Sequence, residues 1–276
     1  MTAPRATVVI PTFNHGPLIG LAVASALRQT VPVEVFVVGD GVPDAHKPAL
    51  RELAASDPRV QFFDHPKSAG RGERYRHAAL AQARGEIVCY LCDRDLWLPD
   101  HVAHLLALLQ QADFAHSLPL HVHRSMVHFF AVDLAHPAYR QHMLQVGNRV
   151  PLSCAGHTLR AYRMLDDGWD DTPPGIPTDW HMFRKFLGQP GCRCASGTLP
   201  TALTFPSPPR KDWPLEARLA ELRAWREHID DPARRAALVL QLLQAAIRSR
   251  DQDLAGILTA QGYGRASGAG PTPPRP

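Results

Sequence analysis

The sequence has no run approaching the roughly 20 apolar residues that a membrane-spanning helix needs. Its start, "MTAPRATVVIPTFN", lacks the charged-then-apolar layout of an export signal. Both absences lead us to expect a cytoplasmic protein with no transmembrane segment. Cysteine is scarce: the five residues Cys89, Cys92, Cys154, Cys192 and Cys194 form no paired framework. Cys192-Arg193-Cys194 is half of a metal-site pattern, but no second cysteine pair completes it, and reduced thiols are expected. An excess of one charge is missing too. The net charge of +4 is mild and the basic residues are scattered, so a nucleic-acid partner is not implied. Neither phosphate-loop signature occurs, G-x-x-x-x-G-K-S/T or G-x-G-x-x-G. Nor is there a G-x-S-x-G element to support a serine hydrolase, so Ser153 near His157 is read as structural.

Apolar residues make up 45% of the chain, enough for a sizeable core, and its 276 residues fit one large domain or a domain with an appendage. The first hundred residues alternate between two periods. "ATVVIPT" reads as a strand, and Gly16 to Gln29 places Leu18, Ile19, Ala22, Val23, Ala26 and Leu27 on one helical face. "VEVFVVGD" (Val33 to Asp40) is a second strand, "HKPALRELAAS" a second helix and "RVQFF" a third strand. "GERYRHAALAQA" comes next as a helix and "GEIVCYL" as a fourth strand. Continuous apolar strands separated by helices imply an α/β fold with a mostly parallel sheet covered on both faces. "HSLPLHVHRSMVHFFAVDL" suggests two antiparallel strands turning near Arg124. Residues 215 to 262 are strongly helical, and "GYGRASGAGPTPPRP" has the composition of a disordered tail.

In a parallel sheet, ligands sit beyond the carboxyl ends of the strands. The polar residues there are Thr12 and Asn14, Asp40, and Asp93 with Asp95. A divalent cation such as Mg²⁺ is commonly held by one or two carboxylates plus substrate phosphates, a task that suits Asp93-Arg94-Asp95. Asp95 and Asp100 are equally placed to cap a helix beginning near Leu96 or His101. Asp40 lies between two glycines, which allow a base or ribose to approach its carboxylate; a plain Asp-Gly turn is the alternative. Thr12 is a candidate contact to a base, and Arg71, Arg74 and Arg76 are candidate contacts to phosphates or a solvated helix face. His116, His121, His123 and His128 lie close in sequence without a clear third ligand for zinc.

These segments, in order, resemble a family 2 glycosyltransferase with the GT-A fold. The resemblance is carried by "VVIPTFNH", "SALRQT", "VEVFVVGDG", "ARGEIVCYL" and "DRDLWLPDH", all within the first 105 residues, with "GIPTDWHMF" further on. It implies a Rossmann-like domain over residues 1–212, with a nucleotide-sugar-binding half (1–110) and an acceptor-side half (111–212). Beyond it would lie a helical appendage (213–262) and a tail (263–276). It also implies transfer of a sugar from a nucleotide diphosphate sugar to an acceptor hydroxyl, with inversion and with Mg²⁺ or Mn²⁺ as cofactor. Carried onto this chain, the motifs place the donor on Pro11, Thr12, Asn14, Asp40 and Asp93, with Arg71 and Arg76 towards the phosphates. Asp93 and Asp95 would hold the metal, and Asp179 of "PTDW" would be the catalytic base, with Asp170 or Asp171 next in line.

The sequence departs from the family pattern at two positions. Gly39 stands where an acidic residue commonly precedes Asp40, and Arg94 replaces an acidic residue of the metal cluster. A guanidinium cannot ligate a cation. Either Arg94 points away, paired with a carboxylate, or it contacts the diphosphate and weakens the dependence on metal. Two other functions fit parts of the sequence: a nucleotidyltransferase acting on a sugar phosphate, and a non-catalytic nucleotide-sugar-binding protein. Self-association through the C-terminal helices is compatible with any of them.

Overall fold

The computed structural model describes residues 2–124, 126–261 and 263. The expected alternation is present: β1 (Ala6–Thr12), α1 (Leu18–Leu27), β2 (Val33–Asp40), α2 (Lys47–Ser56), β3 (Val60–His65), α3 (Glu73–Leu80) and β4 (Ile87–Tyr90). Every residue of β2 and β4 is buried, Glu34 and Asp40 included, which is why these strands read as nearly continuous apolar runs. Next come β5 (Leu96–Trp97), α4 (His101–Leu109), β6 (Phe114–His116), β7 (Leu120–His123), β8 (Met126–Phe129), α5 (Pro137–Gln145), β9 (Ala155–Thr158) and α6 (Leu159–Arg163). The chain continues through α7 (Thr178–Gly188), β10 (Cys194–Ser196), β11 (Ala202–Leu203), α8 (Leu215–Asp230) and α9 (Pro232–Ala260).

Seven strands form one sheet in the order β10-β6-β9-β4-β1-β2-β3. Its pairings are parallel except those of β9, which runs against β4 and β6. Strands from both sides of residue 110 therefore share one sheet. The registers Thr12↔Gly39 and Val9↔Tyr90 bring the carboxyl ends of β1, β2 and β4 to the same edge. Thr12, Asp40 and the segment Cys92 to Asp95 meet there. The helix after this segment starts at His101, and Asp100 precedes it without making a side-chain cap. Leu96–Trp97 is instead a short strand paired antiparallel with β11. The hairpin expected around Arg124 is β7–β8, with Arg124 at φ 55°.

A second apolar cluster forms beside the sheet. Leu18 of α1, Leu96, Leu98, Leu120, Val122, Leu203 and Phe205 bury against Leu219, Leu222, Ile229, Leu238 and Leu242 of α8 and α9. The helical reading of residues 215 to 262 holds through Ala260; the tail 264–276 lies outside the described residues. Among the described residues no helix is long and apolar enough to cross a membrane.

One buried ion pair ties the helices to the strands. Arg210, 2% exposed, donates to both oxygens of Glu221 at 2.5 and 2.6 Å, to the Val122 carbonyl at 3.0 Å and to the Pro206 carbonyl at 3.2 Å. Removing one partner of such a pair strands the other charge in a dry setting. Arg210→Ala is therefore expected to lower unfolding stability by about 3–5 kcal/mol, measured by urea denaturation. A loss below 1 kcal/mol, roughly the level of a surface pair, would show that water reaches Glu221 freely.

Candidate active site

Two adjoining clefts at the carboxyl edge of the sheet collect the candidate residues, and each falls within the few hundred Å³ usual for a small-molecule site. The first, of about 410 Å³, is lined by Pro11, Thr12, Asn14, His15, Asp40, Lys67, Arg71, Arg76, Asp93, Arg94 and Thr178, among others. The second, of about 360 Å³, is lined by Arg94, Asp95, His121, Asn148, Arg149 and Asp179, among others. Arg94 and Leu152 line both, so the clefts adjoin across the Arg94 side chain. Every residue assigned to the donor from sequence thus lines the first cleft, and Asp179 lines the second.

Asp40 is held by a loop that sequence reading did not connect to it. Lys67 Nζ donates to one carboxylate oxygen at 2.6 Å and the Ser68 N–H to the other at 2.6 Å. Gly41 makes this possible. It sits at φ 74°, and a Cβ there would lie 2.8 Å from Lys67 Cα, so only glycine lets the Lys67 loop close on Asp40. The strand-end rule could have found Lys67, which lies two residues beyond β3.

Arg76 forms the floor of the first cleft. It is 3% exposed, stacks over Trp169 at 4.1 Å, and donates through Nη1 to the Arg71 carbonyl at 2.9 Å. Its Nε and Nη2 are buried with no hydrogen-bond partner. Burial pulls its pKa down, and the charges of Glu73 and Asp40 resist that. A buried guanidinium with unmet donors is costly unless an anion arrives to satisfy it. The other candidate arginines differ. Arg71 is exposed at the rim, while Arg74 turns away to pair with Asp171 at 2.8 Å.

The Asp-Arg-Asp segment divides its work. Asp93 accepts a hydrogen bond from Thr12 Oγ1 at 2.8 Å, and His15 Nδ1 lies 3.0 Å from its other oxygen. Burial pushes its pKa up, but His15, Arg94 and Thr12 outweigh that and hold it below the ordinary carboxylate value. Asp95 is 4% exposed, and both its oxygens are taken: Ser153 Oγ donates at 2.5 Å and the Phe205 N–H at 2.7 Å. Burial raises its pKa despite these bonds and the charge of Arg94. Arg94 Nε donates to the Phe205 carbonyl at 3.1 Å, and its Nη1 lies 3.7 Å from Asp93.

The residues present do not fit a divalent ion shared between Asp93 and Asp95. Each Asp95 oxygen is already engaged by a buried hydrogen bond, and Arg94, with Nη1 3.7 Å from Asp93, adds a positive charge that cannot ligate a cation. Among the described residues no group of three or more His, Cys, Asp or Glu side chains is placed to hold a metal ion. That includes the histidines: His116 bonds Ser196 and the Ser117 carbonyl, and His121 bonds Thr204. Burial lowers both to about 4, keeping them neutral. Ser153 is structural, bridging Asp95 and the Cys92 N–H, while His157 bonds Tyr90.

Asp179 lies in the first turn of α7, where Pro177 rather than Asp179 holds the cap position. Its oxygens accept from the Trp180 N–H at 2.8 Å and from Asn148 Nδ2 at 3.0 Å. Burial raises its pKa, an effect only partly offset by the backbone N–H groups and by Arg76 and Arg71. Asp170 is committed to Lys185 and His181, and Asp171 to Arg74. Of the three candidate bases, Asp179 alone lines the second cleft.

Known proteins share sequence and fold with this chain. The chain is 30% identical over 116 residues to a GalNAc(5)-diNAcBac-PP-undecaprenol beta-1,3-glucosyltransferase of Campylobacter jejuni, covering 41% of this chain and 37% of that protein. It is 29% identical over 108 residues to the putative glycosyltransferase EpsH of Bacillus subtilis, covering 38% and 30%. Such matches span from 15% to 37% of the relatives' own lengths. Two solved structures share the fold. One is the mannosyltransferase PcManGT from Pyrobaculum calidifontis with GDP-Man and Mn²⁺, at TM-score 0.56 and 19% identity, covering 95% of this chain and 80% of that one. The other is S. aureus TarS 1-349 with UDP-GlcNAc, at TM-score 0.57 and 17% identity, covering 73% and 58%. Both likenesses are of the GT-A fold. Residues 7–169 match the glycosyl transferase family 2 model, and with more than half its length so matched the chain belongs to that family.

Proposed function

We propose that the protein transfers a sugar from a nucleoside diphosphate sugar to an acceptor hydroxyl, with inversion at the anomeric carbon. The donor would occupy the first cleft and the acceptor the second. The observation that carries this reading is Arg76, a buried guanidinium with two unmet donors on the floor of a cleft that also presents Asp40 and Asp93. The nucleotide-sugar complexes of the two structural neighbours support the same donor class. The five cysteines are free, in keeping with the reducing cytoplasm as the place of work.

Asp40, at the end of β2, would accept hydrogen bonds from the nucleoside, with Thr12 and Asn14 beside it. The diphosphate would then lie towards Arg76, Arg71 and Arg94. Bond cleavage leaves negative charge on the departing diphosphate, and fixed guanidinium groups stabilise that charge most where water is excluded. In this chain, cationic side chains would take the part that a carboxylate-bound ion plays elsewhere. Asp179, across Arg94 from the donor cleft, would remove the acceptor's proton as the new bond forms. Base and leaving group on opposite sides of the sugar permit a single in-line displacement, which inverts configuration. A non-catalytic nucleotide-sugar-binding protein is the second reading, favoured by Arg94 in the acidic cluster. Slow release of free sugar from a donor would decide against it.

Asp179→Asn keeps the size of the side chain and an acceptor for the Trp180 N–H, so the fold should hold. It removes the base, and turnover should fall about a hundredfold or more while donor affinity barely changes. In the parent, turnover should rise with pH through a value above the ordinary carboxylate pKa, because burial raises Asp179 and only its deprotonated form accepts a proton. The variant should lack that limb; an unchanged profile would place the base elsewhere.

Chelation and arginine removal test the clamp. Binding of a nucleoside diphosphate, measured by calorimetry, should survive an excess of EDTA with less than about a threefold loss. Arg94→Ala and Arg76→Ala should each weaken it by about tenfold or more, the usual scale for a lost charge-assisted bond. Abolition by EDTA with Arg94→Ala unaffected would restore the shared-cation reading.

A further inference from the structure

Helix α9 is longer than its support. Leu238, Leu242 and Ala246 anchor its first half in the second apolar cluster, but residues 251–260 are exposed without exception. The exposed face is not polar. Leu240, Ile247, Leu254, Ile257 and Leu258 are between 40% and 61% exposed, and they account for much of the large apolar surface left open on the described chain. Leu240, Ile247 and Leu254 recur every seventh residue, with the half-buried Leu243 and the exposed Ile257 three residues after Leu240 and Leu254; Arg250 holds the equivalent place after Ile247. That is the spacing of a helix seam made for another helix. Residues 264–276 bring no Leu, Ile, Val, Met or aromatic side chain to it.

The charges along the seam identify the partner. "RSRDQD" (Arg248 to Asp253) carries two arginines and then two aspartates, so its signs reverse about the Arg250–Asp251 bond. A second copy running antiparallel about that point sets Ile247 of each chain opposite Leu254 of the other, and Leu243 opposite Leu258. Arg248 then flanks Asp251 of the second copy, and Arg250 flanks Asp253. A parallel pairing in register would instead oppose arginine to arginine and aspartate to aspartate, which is unfavourable. We infer that α9 is a homodimerisation helix, pairing antiparallel with α9 of a second copy through Leu243, Ile247, Leu254 and Leu258. The inference is independent of the catalytic reading, since none of these residues lines either cleft.

Sedimentation equilibrium of the full chain across a dilution series tests it. The expected mass is that of two 30.4 kDa chains. Ile247→Asp with Leu254→Asp replaces exposed side chains, so the monomer should stay folded while dimerisation weakens at least about tenfold. Orientation is read from charge. The pair Arg248→Asp, Arg250→Asp and the pair Asp251→Arg, Asp253→Arg should each prevent self-pairing. An equal mixture of the two variants should form a heterodimer, and the fourfold exchange should restore the homodimer. A parent that is monomeric at every concentration overturns the inference, as does a dimer indifferent to all of these changes. So would a monomer whose seam residues are needed for binding anionic lipid vesicles, because the helix would then be a membrane-surface element.

Discussion

Asp95 is the constraint on which the rest of the site depends. A buried carboxylate with a raised pKa is costly, and it persists here because two hydrogen bonds from different parts of the chain meet it. Ser153 comes from the segment before the reversed strand β9, and Phe205 from just beyond β11. The end of β4 is thereby fastened to both walls of the second cleft. Arg94 is fixed by the same arrangement, since its Nε donates to the carbonyl of the residue whose N–H holds Asp95. One side chain thus sets the position of the cation shared by the linings of both clefts.

The C-terminal helices extend that framework. Phe205 packs into the second apolar cluster with α8 and α9, and the Arg210 guanidinium lies 5.3 Å from its ring while pairing with Glu221 of α8. A segment that reads as an appendage in the sequence is in this way two contacts from Asp95. Burial of α8 against α1 also leaves the far half of α9 without support, which is what exposes its apolar seam.

Much of the site was legible because the strand-end rule needs only local patterns. Thr12, Asp40 and Asp93 each lie at or just beyond the end of a strand whose apolar run is unmistakable, and a parallel sheet brings such ends together whatever the loops do. The rule did not say what each residue would touch. Lys67 on Asp40 and His15 on Asp93 are contacts made by loops, and Asn148 on Asp179 links residues 31 apart. Arg76, read as one of three equivalent arginines, is set apart by burial: Arg74 has Asp171 within reach in the exposed loop, while two of the three nitrogens of Arg76 have no partner.

The sequence by itself determined the alternating α/β order, the parallel sheet, the helical C-terminus and the family resemblance, because each depends on residue type and short-range periodicity. It also showed that Arg94 is unusual. Only the tertiary structure decided the consequence, since the roles of Asp93, Arg94 and Asp95 hinge on partners 58 to 111 residues away. Spacing can show that two carboxylates are neighbours in the chain. Whether their oxygens are free depends on which distant donors the fold brings to them, and here it brings Ser153 and Phe205 to one, Thr12 and His15 to the other.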